Sequence, residues 1–251
     1  MENKRIYKYN PIEDCYATKK KIHIFRDEIE KRRLKKKYLS ILDFGCGNIE
    51  DCGKYILNKK DFYLGFDIHK ESLEYAKKKY KSKKVNFAEK IPNKKFDIII
   101  ISEVLEHLDK PEEILFQLKN KLKKDGLILG SIPNGYGLTE IEKFIIHKFF
   151  IYDSLKILYS FFKKKKVKNN YIPFNHDSGH IQFFTLSRFK KMIKQCNLKI
   201  YEIRNGTVMG ADISGSTFLK FEFTKKINTK IADFIPHFMS ATWIFKLIKN
   251  G

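Results

Sequence analysis

Cysteine is scarce in this 251-residue chain, and its cysteines form neither a C-x-x-C pair nor a cluster with histidine at zinc-ligand spacing. This excludes a disulfide framework and the common structural zinc sites, and it predicts reduced thiols. No run of about eighteen uninterrupted apolar residues occurs, so we expect no membrane-spanning helix. The start, MENKRIYKYN, lacks the apolar core of a signal peptide, so we expect a cytoplasmic protein. The cysteines are Cys15, Cys46, Cys52 and Cys196.

Acidic residues are few relative to basic ones: 29 Asp and Glu stand against 51 Lys and Arg, which gives a net charge of +22. Such a charge is typical of proteins that bind nucleic acid or an anionic surface. The alternative is a general bias of the sequence towards lysine. We favour the bias, because the lysine runs fall on predicted helix surfaces and loops. A nucleic-acid partner is therefore a less favoured prediction.

The hydrophobic content of 43% indicates a globular protein, and the length allows one α/β domain with a complete core. From residue 38 onward, strand-like apolar runs alternate with helical patterns, which predicts a mainly parallel sheet covered on both faces. The four isoleucines 98–101 predict a central strand that is buried on both sides. Strands are predicted at 39–44, 62–67, 84–88, 96–102, 127–132, 198–205 and 217–224, and helices at 12–37, 50–58, 70–80, 111–123 and 186–194.

We predict an N-terminal helical segment at 1–37, the α/β domain at 38–226 and a C-terminal amphipathic segment at 227–251. An insertion at 136–182 interrupts the domain; it is rich in aromatic residues and contains a run of lysines. We interpret it as a helical lid over a pocket, because insertions after the fifth strand lie beside the active edge. The alternative is peripheral membrane contact, with the segment in the interface and its lysines towards anionic headgroups.

The most informative motif is ILDFGCGN, at 41–48, followed about twenty residues later by GFD, which ends at Asp67. A strand leads into Asp43 and then into a turn with Gly45 and Gly47, where the backbone can approach a ligand. The carboxylate of Asp67, at the end of the next strand, is placed to accept hydrogen bonds from ribose hydroxyls. The pattern predicts a nucleoside cofactor at the carboxyl edge of a parallel sheet.

The residues after the second glycine distinguish two kinds of cofactor. Dinucleotide sites present a third glycine and a helix N-terminus to a pyrophosphate. Here Glu50 and Asp51 lie in that region, and their charges disfavour an anion. A cofactor with a cationic methionine end, such as S-adenosylmethionine, suits these carboxylates and Asp43.

In these motifs the chain resembles the class I S-adenosylmethionine-dependent methyltransferases. The resemblance continues through FDIIIISEVLEHL, LKNKLKKDGLILGSIPNGYG and GHIQFFT and covers the chain from Tyr38 onward. It is strongest towards bacterial ubiquinone-pathway and surface-sugar O-methyltransferases. It implies a Rossmann-like, seven-stranded, mostly parallel sheet with helices on both faces, a helical insertion after the fifth strand and an antiparallel final pair of strands.

The resemblance also implies which residues bind S-adenosylmethionine, with Asp67 on the ribose. Two departures concern this site. Ile49 stands where many members have a third glycine, and Phe87 stands where many have an acid for the adenine amino group, which leaves Ala88 or Glu89 as substitutes. The predicted cofactor-binding residues are Asp43, Phe44, Gly45, Gly47, Asp67, Ile68, Ala88, Glu89, Ser102 and Glu103.

Methyl transfer to a hydroxyl benefits from a base, for which His107, His176 and His180 are candidates; we predict His107, Glu106 and His180 as catalytic. Glu103, Glu106 and His107 have the spacing i, i+3, i+4 and would share one helical turn. The same E-x-x-E-H pattern supplies magnesium ligands in ubiquinone-pathway and small-RNA 2′-O-methyltransferases. We favour a turn that only lines the pocket, so we predict no metal ligand, and Mg²⁺ is the less favoured alternative.

The resemblance therefore predicts O-methylation of a small molecule or sugar, with surface-glycan biosynthesis as the setting. One alternative is an RNA 2′-O-methyltransferase, motivated by E-x-x-E-H and the charge of +22. Another is a cofactor-binding interaction protein without turnover, motivated by Ile49 and Phe87. The sequence predicts neither the acceptor atom nor the oligomeric state.

Overall fold

The computed structural model describes residues 17–137, 180–210, 219 and 221–250. Within them, one sheet has the strand order β3-β2-β1-β4-β5-β7-β6. Strands pair in parallel except for β7, which runs antiparallel to both β5 and β6. This confirms the predicted Rossmann-like, mostly parallel sheet of seven strands. The strands are β1 (Ser40–Phe44), β2 (Phe62–Phe66), β3 (Val85–Ala88), β4 (Phe96–Ser102), β5 (Leu122–Pro133), β6 (Leu198–Asn205) and β7 (Thr242–Lys249).

Helices cover both faces of this sheet, as the βα alternation predicted. The central strand β4 shows why: Ile99 and Ile101 pack into the apolar core on one face, Ile98 and Ile100 into the core on the other, and all four are fully buried. The helices are α1 (Thr18–Arg33), α2 (Gly53–Ile56), α3 (Lys70–Tyr80), α4 (Pro111–Asn120), α5 (Leu186–Gln195) and α6 (Glu222–Ile231), with 3-10 turns at Leu105–His107, Ala232–Phe234 and His237–Met239.

Three predicted helices end earlier or are shorter than the sequence pattern indicated, and the first of them, predicted at 12–37, ends at Arg33. The helix predicted at 50–58 is a single turn, α2, because the residues before it belong to the glycine turn. The helix predicted at 111–123 ends at Asn120, and β5 already begins at Leu122. Leu122 pairs with Phe96 and is fully buried, and the pairing then shifts so that Leu127 lies opposite Ile98. Local pairing with β4 therefore outweighs helix propensity there.

The strand predicted at 217–224 is wrong where the structure describes it, because α6 begins at Glu222. The last strand of the sheet is instead β7, inside the predicted C-terminal amphipathic segment 227–251. It lies between β5 and β6 and not at an edge, and residues 242–247 are buried. The antiparallel final pair implied by the resemblance is present, but β6 and β7 form it.

Several predicted features lie outside the described residues. They include residues 12–16 of the predicted first helix, His176, and most of the lid-like insertion at 136–182, of which 136–137 and 180–182 are described. Across the described ranges, no helix has both the length and the apolar character needed to cross a membrane.

Candidate active site

The parallel strands β1, β2 and β4 end at one edge of the sheet, here called the carboxyl edge, and the glycine turn begins there. Gly45 has a φ of +74°, and its N–H donates to the Phe66 carbonyl at 2.8 Å, which folds the turn over the end of β2. A Cβ at this position would lie 2.5 Å from Cγ2 of Val104, so only glycine fits. Gly47 has a φ of +52° and open space beside it. Backbone is therefore exposed at this edge to a ligand.

Asp67 follows β2 and joins this turn to the next loop. Its Oδ2 accepts a hydrogen bond from the Gly47 N–H at 2.6 Å, and its Oδ1 accepts one from the His69 N–H at 2.8 Å. Capping of α3 falls to His69, whose Nδ1 accepts from the Ser72 N–H. The position beside Asp67 is held by Ile68, which is 85% exposed. A helix-capping role therefore does not account for Asp67, and the exposed Ile68 offers an apolar surface beside it.

Asp43 lies under the glycine turn and is 4% exposed. Its Oδ2 accepts a hydrogen bond from the hydroxyl of Tyr63. Burial raises the pKa of Asp43 to about 6; the Tyr63 hydrogen bond opposes this rise and the charge of Asp67 adds to it. A carboxylate whose charge changes with pH near 6 therefore lies directly beneath the turn, where its ionised form would attract a cationic ligand.

Ile49, two residues after Gly47, has a φ of 62°. Its side chain is 1% exposed and packs in the core on the α1 and α3 face of the sheet. A β-branched residue is strained in this region of φ, where glycine is not. The turn thus keeps the backbone geometry that favours glycine, and burial of the isoleucine side chain offsets the strain.

The candidates for the adenine contact lie at the end of β3. Phe87 is 8% exposed and packs against Gly65 of β2, so its ring belongs to the core. Ala88 ends the strand and is half-buried, and Glu89 is exposed, with its carboxylate 3.5 Å from the ammonium of Lys70. Phe44, also predicted at the cofactor site, is buried and stacks on Phe66 with ring centroids 4.8 Å apart.

Polar residues that the sequence patterns did not single out join Ser102 and Glu103 at the end of β4. The hydroxyl of Ser131, on β5, donates to Oε1 of Glu103 at 2.5 Å and lies 2.8 Å from the Ser102 hydroxyl. Lys21, on α1, has its ammonium 3.9 Å from the same carboxylate and is 8% exposed. Lys21 lies four residues before the buried Phe25, on the same face of α1. A lysine within a row of apolar residues was the sequence signal that could have identified it as a site residue.

The E-x-x-E-H residues do not share a helical turn as predicted. Glu103 has a φ of 54°, so its backbone leaves the helical region, and only Glu106 and His107 lie in the 3-10 turn. His180 joins them from a distant part of the sequence. The N–H groups of Ile181 and Gln182 donate to the Glu106 carbonyl at 2.9 and 3.0 Å, which holds the segment after His180 against the turn.

The Glu106 carboxylate is the centre of this cluster. It is fully buried, and neither of its oxygens has a hydrogen-bond partner among the described residues. The Nε2 atoms of His107 and His180 lie 3.9 and 4.0 Å from its Oε1. Burial raises the pKa of Glu106 well above its usual range, and the nearby Glu103 carboxylate raises it further. Such an oxygen attracts a proton or a cation.

A divalent metal ion is one cation that this cluster fits by residue type. One donor atom each from Glu106, His107 and His180 lie within 4.8 Å of one another. Two imidazoles and a carboxylate suit a transition ion better than Mg²⁺, which prefers oxygen ligands. Donors at about 2.1 Å from one ion lie at most about 4.2 Å apart, so the widest spacing would have to contract.

Comparison with known proteins finds similarity to methyltransferases. A family model for a methyltransferase domain matches residues 17–203. A ubiquinone biosynthesis O-methyltransferase from Pelagibacter ubique is 26% identical over 50% of this chain and 54% of its own length. A malonyl-[acyl-carrier protein] O-methyltransferase from Halalkalibacterium halodurans is 35% identical over 41% of this chain and 42% of its own. The mRNA cap guanine-N(7) methyltransferase of Schizosaccharomyces pombe is 28% identical over 38% of this chain and 32% of its own.

Solved structures agree in fold over a much larger share of the chain. The plantazolicin methyltransferase BpumL, in complex with a monoazolic desmethylPZN analog and SAH, superposes with a TM-score of 0.57 at 20% identity. The superposition covers 95% of this chain and 86% of that one. The curated relatives, in contrast, are matched over about half of their length or less. The sheet order, the glycine turn and the family model together show that the chain belongs to the class I S-adenosylmethionine-dependent methyltransferases.

Proposed function

We propose that the chain transfers a methyl group from S-adenosylmethionine to an oxygen of a small molecule or sugar, in the biosynthesis of a surface glycan. The observation that carries the proposal is the cluster of Glu106, His107 and His180 at the carboxyl edge, next to the predicted cofactor residues. The two O-methyltransferase relatives support oxygen as the acceptor atom. The glycan setting is supported by the sequence resemblance to surface-sugar enzymes.

The roles of the residues follow from what methyl transfer requires. When bound, S-adenosylmethionine supplies an electrophilic methyl group on its sulfonium, which a nucleophile must approach in line at about 3–3.5 Å. The Asp67 carboxylate would accept hydrogen bonds from the ribose hydroxyls, and the exposed Ile68 would pack against the adenine. The ionised form of Asp43 would stabilise the cationic methionine end.

His107 is placed to act as the base. Its side chain is 37% exposed, so an acceptor hydroxyl can reach it. Its Nε2 would take the hydroxyl proton while the methyl group passes from the sulfonium sulfur to the acceptor oxygen, with S-adenosylhomocysteine as the leaving product. The positive charge of the imidazolium then favours the ionised form of Glu106, whose Oε1 lies 3.9 Å away, and the two charges stabilise each other. The ring centroid of His180 lies 4.9 Å from that of His107, so His180 packs against the base and limits its orientation.

Apolar side chains near this cluster indicate what part of an acceptor packs there. Tyr136, Ile181 and Phe183 are 64%, 51% and 50% exposed. The N–H of Gly135, next to Tyr136, donates to the Phe184 carbonyl at 3.0 Å, which keeps these residues together. Aromatic and aliphatic faces of this kind suit the C–H face of a sugar ring or an aromatic acceptor.

The test is an acceptor screen with methyl-labelled S-adenosylmethionine against nucleotide sugars, glycan precursors, quinone precursors and RNA. With the acceptor that reacts, His107→Gln should lower kcat about 100-fold or more and abolish the low-pH limb of the rate profile that titration of the base produces. His23→Gln, at a histidine whose side chain is 77% exposed on α1, is the matched control. An unchanged pH profile in His107→Gln would remove His107 as the base.

A metal-dependent RNA 2′-O-methyltransferase is the second candidate, and the Glu106 cluster together with the charge of +22 favours it. It predicts that EDTA abolishes activity, that Mn²⁺ restores it and that RNA affinity falls steeply with salt. The base mechanism predicts a rate unchanged by EDTA. A non-catalytic cofactor-binding protein, motivated by Ile49 and Phe87, predicts no turnover with any acceptor in the screen.

A further inference from the structure

Helix α6 turns its apolar side chains to solvent instead of into the core. Phe223, Ile227 and Ile231, spaced by four, form one stripe and are 71%, 38% and 48% exposed. Phe234, in the 3-10 turn that follows, continues the stripe and is 88% exposed. These four residues are here called the α6 stripe. Helices on a protein surface normally bury such a stripe, so its exposure requires an explanation.

A polar residue on the side of α6 next to the stripe fixes the helix to the protein. Asn228 is 7% exposed, its Oδ1 accepts from the N–H groups of Val208 and Met209 at 3.2 and 2.9 Å, and its Nδ2 donates to the Met209 carbonyl at 2.8 Å. Rotation of the helix to bury the stripe would break these three hydrogen bonds. The outward orientation of the stripe is therefore built into the fold.

Positive charge lies alongside the stripe. Lys226 and Lys230, at i+3 and i+7 from Phe223, are exposed and have no acidic partner among the described residues.

The acidic residues near the stripe are already paired with other lysines. The Glu222 carboxylate lies 3.6 Å from Lys19 and from Lys225, and the Asp233 carboxylate lies 2.6 Å from Lys20. An apolar stripe with two exposed lysines along one flank complements a surface that is apolar inside and anionic outside.

The stripe also lies at the edge of the sheet where the active site is. Because β7 runs antiparallel to β5, its first residue, Thr242, pairs with Pro133 at the carboxyl edge. The Asn134 side chain donates to the Phe238 carbonyl at 2.8 Å, and the Asn205 side chain donates to the Ala232 carbonyl at 2.7 Å. These bonds attach the segment after α6 to the carboxyl ends of β5 and β6.

We propose that the α6 stripe docks on an anionic lipid surface, with its apolar side chains in the interface and Lys226 and Lys230 at the headgroups. The carboxyl edge then faces the membrane. A second copy of the chain is a poorer occupant, because it would bring the same lysines and another net charge of +22 towards the first. Docking of this kind needs no membrane-spanning helix.

Vesicle co-sedimentation tests the proposal with the full chain. We expect binding to vesicles of phosphatidylcholine with about 30% phosphatidylglycerol, which have a strongly negative surface potential. Binding to phosphatidylcholine alone should be weak. Added salt should weaken the binding to the anionic vesicles. Phe223→Ser with Phe234→Ser, and Lys226→Glu with Lys230→Glu, should each lower the affinity about tenfold or more. These side chains face solvent, so the variants should keep the wild-type Tm.

Control variants carry single changes of the same kind elsewhere on the surface. Phe116→Ser removes an aromatic that is 50% exposed on α4, and Lys78→Glu reverses an exposed charge on α3; neither should change vesicle binding. Absence of binding at low salt, or wild-type binding by the stripe variants, would overturn the proposal. Self-association that the stripe variants abolish, without vesicle binding, would also overturn it and assign the stripe to a contact between copies.

Discussion

Among single residues, Asp43 combines a stability penalty with its expected role at the cofactor. Its pKa in the folded protein is raised by burial to about 6, above the value of 3.8 for an exposed aspartate. The folded state therefore holds the proton more tightly than the unfolded state. The stabilising effect of this difference is complete below pH 4 and is lost as the pH rises through 6.

Asp43→Asn should consequently stabilise the protein without cofactor at pH 7.5 by about 2–3 kcal/mol, because about two pKa units correspond to that energy. The gain should shrink as the pH falls from 6 to 4, in urea unfolding measured across that range. The same variant should bind S-adenosylmethionine more weakly. A wild type as stable as the variant at every pH would contradict the buried charge.

Asp97→Asn is the control with the opposite sign. Asp97 is also buried, but hydrogen bonds from Lys123, Lys36 and Ser40 outweigh its desolvation and hold its pKa below the usual range. Its ionised form stabilises the fold above the unfolded pKa, and this is lost as the pH falls. Its removal should therefore destabilise the protein at pH 7.5, where Asp43→Asn stabilises it.

Ile49 provides a second prediction at this scale, because its φ of 62° reverses the usual order of glycine and alanine. Both Ile49→Gly and Ile49→Ala should destabilise the protein through the lost buried side chain. Ile49→Gly should nevertheless be as stable as Ile49→Ala or up to about 1 kcal/mol more stable, because alanine keeps the strain. Ile56, buried in α2, is the control: there alanine should be more stable than glycine.

The sequence indicated that Gly45, Gly47 and Asp67 lie together at one edge of the sheet, and the hydrogen bond from the Gly47 N–H to Asp67 agrees with this. These residues belong to one βαβ unit, so their spacing along the chain carries the information. Lys21 and Ser131 could not be predicted in the same way, since only tertiary folding brings α1 and β5 to Glu103.

At the scale of elements, the sheet was predictable up to β6 and not at β7. The parallel strands alternate with helices and are bounded by turns, so their periodicity identified them. The alternation of Phe221, Glu222 and Phe223 has the period of a strand, yet α6 forms there, with the Asn228 hydrogen bonds fixing it. In β7, the charged residue Lys246 interrupts the apolar run, so the sequence pattern did not indicate a buried strand.

Lys246 is tolerated in β7 because two acids meet it. Its ammonium lies 2.6 Å from a Glu202 carboxylate oxygen on β6 and 3.1 Å from one of Glu28 on α1. Lys246→Ala should cost about 1–3 kcal/mol, because it removes the buried cation that both carboxylates share and leaves them only Arg32, beside Glu28, and Arg204, beside Glu202. Lys246→Ala combined with Glu28→Gln and Glu202→Gln should recover most of this loss in urea unfolding, because it removes the carboxylate charges and has the same packing loss as Lys246→Ala.

Lys199→Ala, at an exposed position of β6, is the matched control and should be close to neutral. If the triple variant is no more stable than Lys246→Ala, the lost packing of the lysine stem and not the unpaired charge explains the penalty. That outcome would contradict the electrostatic account of β7.

For the molecule as a whole, the candidate sites converge on one edge of the sheet. The glycine turn, Asp67, the Glu106 cluster and the attachment of the α6 stripe all lie at the carboxyl ends of the strands. The charge of +22 predicts attraction to anionic partners in general, but it does not say where they bind. Only the arrangement of charged and apolar residues around α6 assigns a position to such a partner.

The most direct test of the central claim is isothermal titration calorimetry of S-adenosylhomocysteine into the wild type and Asp67→Ala. The account predicts binding by the wild type and a loss of at least about tenfold in the variant, because hydrogen bonds to a charged group contribute about 1.5–3 kcal/mol. Glu74→Ala, at an exposed acid of α3, should bind as the wild type does. Equal affinity in the wild type and Asp67→Ala, at equal Tm, would contradict the assignment of the cofactor site.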